Sequence, residues 1–167
     1  MCGIAGVFAY LDVAAPVDRG ELGRMNDRMA ARGPDGDRLW TSPDGRIGFA
    51  HRRLAIIDLS EGGAQPKHSA DGALTITFNG EIYNYRELRA ELQAKGYEFQ
   101  TESDTEVLLQ LYADCGAAMV GRLRGMFAFG LWDARQRRLL LARDPLGIKP
   151  LYWADDGWTL RFASQAK

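Results

Sequence analysis

The sequence is poor in the residues that build metal sites and disulfide scaffolds. It has two cysteines, Cys2 and Cys115, and two histidines, His51 and His68, among 167 residues. Two cysteines are too few for a disulfide framework or a tetrathiolate site, and the histidines do not fall at metal-ligand spacing. Neither sign of charge prevails. With 21 basic and 22 acidic side chains the net charge is -1, which argues against a broad electrostatic surface for nucleic acid or membrane. There is no GxxxxGK[ST] phosphate loop and no GxGxxG after a strand, so no motif encodes nucleotide chemistry. The apolar opening, residues 4–11, has no basic segment before it and runs into Asp12. It fits neither a signal peptide nor a membrane span. Internal repeats, low-complexity tracts and long linkers are missing as well. What is present is ordinary: 46% hydrophobic and 26% charged residues, at a length that suits one domain with a sizeable core. The sparing use of cysteine suits a reducing, cytoplasmic setting.

Short apolar segments and tight turns dominate the chain. Residues 3–10 read as a buried strand, apolar on both faces. Asp18 is a cap for a helix over about 19–31, with Leu22, Met25 and Met29 on one stripe. Glycine and proline make 32–37 a turn. Short strands follow at 37–41 and 46–50, joined by the hairpin-like Ser42-Pro43-Asp44-Gly45. Leu54 to Ile57 is short and apolar and gives way to a glycine-rich loop over 60–66. A strand over 73–78 follows the Asp71-Gly72 turn. Helices are expected over 84–95 and from 104 or 105 to 115, stopped by Gly96 and Gly116. In the second, Leu108, Leu111, Tyr112 and Cys115 share one face. Strands at 125–132 and 139–142, and a closing hairpin of 152–154 with 159–163, complete the pattern. Many short strands with three helices imply antiparallel sheets packed against helices, an α+β fold.

Five clusters can carry chemistry. Removal of Met1 would make Cys2 the first residue, with a thiol and a free α-amine on one side chain and backbone. A thiol of reference pKa ~8.5 then sits beside an amine of ~7.7–8.0, the arrangement of a nucleophile activated by its own terminus. The two groups are too close for a good direct hydrogen bond, so a bridging water is expected. The bland alternative is a small buried hydrophobe at a strand start. His51-Arg52-Arg53 ends a strand; Arg53 offers a fork for a carboxylate, or the group is a solvated strand end. Asn79-Gly80-Glu81 sits where a strand breaks. The Asn79 amide and the Gly80 N–H can converge on an oxyanion, yet Asn-Gly is equally a hairpin turn. Asp104 is most simply a helix N-cap with Ser103 beside it. The loop 143–150 is, by physics alone, structural.

These clusters, in order, carry a resemblance. Cys2-Gly3-Ile4, Arg32-Gly33-Pro34-Asp35, His51-Arg52-Arg53-Leu54, Gly63-Ala64-Gln65-Pro66, Asn79-Gly80-Glu81-Ile82-Tyr83-Asn84, Ser103-Asp104-Thr105-Glu106 and Arg143-Asp144-Pro145-Leu146-Gly147 resemble the glutaminase domain of glutamine-hydrolysing asparagine synthetases. That domain is a class II glutamine amidotransferase, an N-terminal nucleophile hydrolase. The resemblance implies a four-layer αββα sandwich of two antiparallel sheets over residues 1–167. It implies that Cys2 attacks the side-chain amide of L-glutamine, that Asn79 and Gly80 form the oxyanion hole, and that Arg53 grips the substrate carboxylate. Glu81 and Asp104 would hold its ammonium, and backbone along Leu54, Ala55, Ile56 and Ile57 would line the pocket. No cofactor or metal is expected in this domain. ATP and Mg would belong to a synthetase domain, joined in cis or acting in trans, whose SGG-type loop does not occur by Lys167. An isolated or truncated domain is therefore expected. Phe162-Ala163-Ser164-Gln165-Ala166-Lys167 is similar to the family's FASE-x-K segment, with Gln165 at the glutamate place. A non-catalytic glutamine-binding or docking module is the alternative, and it would not need Cys2 with the Asn79-Gly80 pair.

Overall fold

The computed structural model describes residues 1–54 and 63–166. Ala55, Ile56 and Ile57, expected along the pocket wall, lie outside the described residues. The elements run in order β1 (Gly3–Ala9), α1 (Arg19–Arg28), a 3-10 turn (Ala30–Arg32), β2 (Gly36–Thr41), β3 (Ile47–Arg53), β4 (Lys67–His68), β5 (Leu74–Ile82), α2 (Tyr85–Ala94), α3 (Asp104–Cys115), a 3-10 stretch (Gly116–Arg122), β6 (Gly125–Asp133), β7 (Arg138–Arg143), β8 (Tyr152–Asp155) and β9 (Thr159–Ala163). Among the described residues they form a sheet ordered β2-β3-β1-β9-β8 and a second ordered β4-β5-β6-β7. Every strand pairing is antiparallel.

Side-chain alternation stacks these sheets into four layers. On one face of the first sheet Ala5, Val7 and Ala50 meet Leu22 and Met29 near α1. On its other face Ile4, Ile47, Phe49 and Phe162 meet Ala128 and Trp132 of the second sheet. The far side of that sheet presents Leu74, Ile76, Phe78, Phe127, Phe129 and Leu131 to α2 and α3. The αββα sandwich of two antiparallel sheets is the observed fold. In α3 Val107 and Leu109 are buried beside Leu108, Leu111 and Tyr112, so its apolar face is wider than one stripe. At ~1.5–3 kcal/mol for each large apolar side chain buried, this helix is held mainly by packing.

Several boundaries differ from the sequence reading. The first helix stops at Arg28 and tightens into the 3-10 turn, while Asp18 does cap it, accepting from Gly20 N at 2.7 Å. The N-cap of α3 is Ser103, whose hydroxyl accepts from Thr105 N at 3.2 Å; Asp104 is the first helical residue. The capping oxygen on Ser103 leaves the Asp104 carboxylate to reach Ile82 N at 3.2 Å instead. Asn84 precedes α2 without a side-chain capping bond, because its amide is spent on Arg122 O and Arg124 N. Asn79-Gly80-Glu81 is neither turn nor strand break. It lies inside β5, opposite Ala128, Phe127 and Met126 of β6.

Candidate active site

One end of the space between the sheets is polar. Along β3 the inward residues run Ile47, Phe49, His51, Arg53, and along β5 they run Thr75, Thr77, Asn79, Glu81. Thr77 Oγ1 donates to Ala50 O across the gap at 3.3 Å. Period-two geometry thus sends Arg53, Asn79 and Glu81 to the end where Cys2 precedes β1. There a cavity of about 130 Å³ is lined by Cys2, Arg53, Leu54, Asn79, Gly80 and Glu81, with Asp104 from α3. Six of the positions proposed from the sequence for nucleophile, oxyanion hole and substrate ends share one cavity with Leu54.

The Cys2 thiol sits against the backbone of Leu54, with Leu54 N–H directed at Sγ (3.4 Å) and Sγ 3.6 Å from Leu54 O. Its own carbonyl accepts from Arg32 Nε at 3.0 Å, which pins the chain ahead of β1. Asn79 is 2% exposed, and its Nδ2 is buried with no hydrogen-bond acceptor among the described residues. Gly80 is required by the neighbouring strand: a Cβ there would stand 2.3 Å from Met126 O and 2.8 Å from Phe127 Cα. Burial pushes the Asp104 carboxyl up from its ordinary range; the backbone N–H groups of Ile82 and Thr105 oppose this, and the Glu81 charge adds to it. Two carboxylates that repel each other beside a cavity make a site for a cation.

Sequence reasoning missed three contributors. His51 is no strand-end surface residue. It is 1% exposed, and burial holds its pKa down to about 4, with the Phe78 carbonyl opposing and Arg53 adding to the shift. The neutral ring donates from Nε2 to Phe78 O at 3.2 Å. Nor is its neighbour Arg52 solvated: it pairs with Asp27 (2.7 Å) and Asp37 (3.1 Å). Gln65, preceding a cis peptide to Pro66, accepts from Phe78 N at 2.6 Å and donates to Thr105 Oγ1 at 3.5 Å, tying β5 to α3 behind the cavity. Lys149, from the loop read as structural, also lines the cavity. His51 and Gln65 lie in motifs quoted above, but their burial and partners, like the entry of Lys149 into the cavity, are visible only in tertiary contacts.

A family model described as "Glutamine amidotransferase domain" matches residues 1–167. The chain belongs to this family. It is 49% identical over 168 residues to "Asparagine synthetase [glutamine-hydrolyzing] 1" of Bacillus subtilis, covering all of this chain and 26% of that protein. To "Asparagine synthetase [glutamine-hydrolyzing]" of Zea mays it is 43% identical, covering all of this chain and 28% of the relative. This glutamine amidotransferase domain therefore spans about a quarter of the length of the curated relatives it matches. The solved glutamine phosphoribosylpyrophosphate amidotransferase of Bacillus subtilis, complexed with ADP and GMP, superposes with a TM-score of 0.78. It shares 22% identity over 98% of this chain and 42% of its own, and so bears on the fold alone. Among the described residues no helix is long and apolar enough to cross a membrane.

Proposed function

We propose that this glutamine amidotransferase domain hydrolyses L-glutamine through Cys2 after Met1 is removed. The observation that carries the reading is the buried Asn79 Nδ2, without an acceptor among the described residues, at the cavity that Cys2 lines. A donor in that state costs stability, ~1–3 kcal/mol, unless an acceptor arrives with the substrate. In the proposed reaction Sγ attacks the side-chain amide carbon while the freed α-amine of Cys2 takes the thiol proton. The developing oxyanion receives hydrogen bonds from Asn79 Nδ2 and the Gly80 N–H. The amine then returns the proton to the leaving nitrogen, releasing ammonia and a γ-glutamyl thioester, which water hydrolyses to glutamate. Arg53 binds the substrate carboxylate, and Glu81 with Asp104 binds the ammonium. Arg53 and the two carboxylates select a free amino acid, and Lys149 adds a second cation to the cavity wall. Leu54 offers backbone groups beside the sulfur, and Ala55, Ile56 and Ile57 would extend that wall.

The chemistry needs no cofactor in this domain. Its ammonia would pass to an ATP- and Mg-dependent synthetase domain of the asparagine synthetase type, in cis or in trans, in the cytoplasm. The similarity to asparagine synthetases several times this length supports that assignment. The test compares one purified chain with and without Met1, each form verified by mass spectrometry. An amide nitrogen is non-basic whereas an α-amine titrates near ~7.7–8.0. Glutamate formation should fall to background when Met1 is retained and should need neither ATP nor metal when it is removed. Equal turnover by the two forms would overturn the mechanism.

A further inference from the structure

The loop between β7 and β8, residues 144–151, sends one lysine inward. Lys149 is 6% exposed and lines the same cavity as Cys2. Its backbone is fixed, because the buried Asp144 carboxylate accepts from Ile148 N (2.9 Å), Lys149 N (3.0 Å) and Phe127 N of β6 (3.2 Å). Its ammonium has a poor partner. Nζ lies 3.3 Å from Sδ of Met1, and thioether sulfur is a weak acceptor. Among the described residues no carboxylate lies within salt-bridge distance of it. A buried ammonium is costly without a counter-charge. Met1, the residue it touches, is the one that the proposed chemistry removes. Once Met1 is gone, Lys149 and the new terminus at Cys2 line one cavity.

Resting on the glutaminase reading above, we propose that Lys149 is a positioning residue for the nucleophile, its fixed ammonium easing loss of the first proton from the amine–thiol pair of the processed Cys2. A nearby cation favours a thiolate and disfavours a protonated amine, so both electrostatic effects act in one direction. The singly protonated pair holds a nucleophile and still keeps a proton for the departing ammonia. With Lys149 in place that form is reached at lower pH. The other charges at the site are Arg32 on the Cys2 carbonyl, Arg53 from β3, Glu81 from β5, Asp104 from α3 and the Asp144 carboxylate on the Lys149 N–H; His51 is neutral. Substitution at 149 leaves all of them in place.

The experiment uses processed chain as wild type, Lys149→Met and Lys149→Arg. Two pH profiles are measured: alkylation of Cys2 by iodoacetamide, resolved from Cys115 by mass spectrometry, and kcat/KM for L-glutamine. In Lys149→Met the alkylation midpoint and the acid limb of kcat/KM should move up by about one pH unit, slowing alkylation about tenfold at pH 7. Lys149→Arg, which keeps the charge, should track wild type. Lys149→Gln replaces the Met variant if urea unfolding shows that the latter is not folded. Superimposed profiles for wild type and the uncharged variant would overturn the proposal, as would an equal displacement in Lys149→Arg. A Lys149-dependent alkylation profile in a chain that cannot hydrolyse glutamine would overturn only the glutaminase reading. Turnover with unmoved profiles would overturn only the role of Lys149.

Discussion

Asn79 spends stability on a donor that faces no acceptor among the described residues. Its side chain is 2% exposed and its Nδ2 is unpaired among the described residues. If that donor meets charge that exists only in the transition state, its loss lowers kcat and leaves KM nearly unchanged. Asn79→Ala in the processed chain is therefore expected to lose ~10²–10³ in kcat, the usual cost of one oxyanion donor. The same substitution should leave the urea midpoint near wild type, because it also removes an unsatisfied group. Steady-state kinetics and urea unfolding of the two proteins check both halves. An increase confined to KM would make Asn79 a binding residue only.

β5 is the element on which the site hangs. Asn79-Gly80 reads in the sequence as a strand break or a hairpin turn, and the strand is expected to end at 78. That signal misleads because β5 runs on through Ile82 against β6, and the Asn79 side chain is buried at the cavity. Continuation of the strand through Gly80 is set by β6. The β6 backbone of the same sheet comes too close for any side chain here, since a Cβ would lie 2.3 Å from Met126 O. Gly80→Ala must therefore push the two strands apart, and backbone cannot yield as a flexible side-chain tip can. The expected cost is ~1–3 kcal/mol, the range for overpacking, with faster amide exchange at the site end of β5 and β6. Glutamine turnover should fall further than this loss of stability explains, because Asn79 and Glu81 ride on the displaced segment. Exchange rates equal to wild type along both strands would contradict this account. Helix α3 gives the matching lesson: Ser103 takes the cap, and the first-turn Asp104 is thereby released toward the cavity.

Across the whole molecule, the two sheets are registered by one aromatic ring. Phe162 of β9 lies in a slot between glycines of opposite sheets. A Cβ on Gly6 would fall 2.3 Å from its Cε1, and a Cβ on Gly130 would fall 2.5 Å from its Cζ. The sandwich spacing therefore depends on three residues acting together. Gly130→Ala should destabilise by ~1–3 kcal/mol through overpacking. Phe162→Leu alone should also destabilise, by leaving a cavity. Combined, they should cost less than their sum by ~0.5 kcal/mol or more, because the smaller side chain makes room for the methyl. A double-mutant cycle from urea unfolding measures this coupling, and additive costs would separate Phe162 from the sheet spacing.

Much was determined by the sequence alone. The order of strands and helices and the α+β class were legible from local pattern, and the motifs that carry the family resemblance named Cys2, Arg53, Asn79, Gly80, Glu81 and Asp104, which share one cavity. Local pattern suffices there because hydrophobic period, turn chemistry and terminal position are properties of neighbouring residues. Only the tertiary structure decided which face of each strand is interior. Period two assigns residues to two faces, but in a four-layer sandwich both faces are covered, and polarity no longer marks the outside. That is why His51 is buried and neutral, Gln65 braces β5 against α3, and Lys149 enters the cavity from a loop 147 residues beyond Cys2. Their positions follow from the distance between two sheets, a quantity that no single stretch of the chain carries.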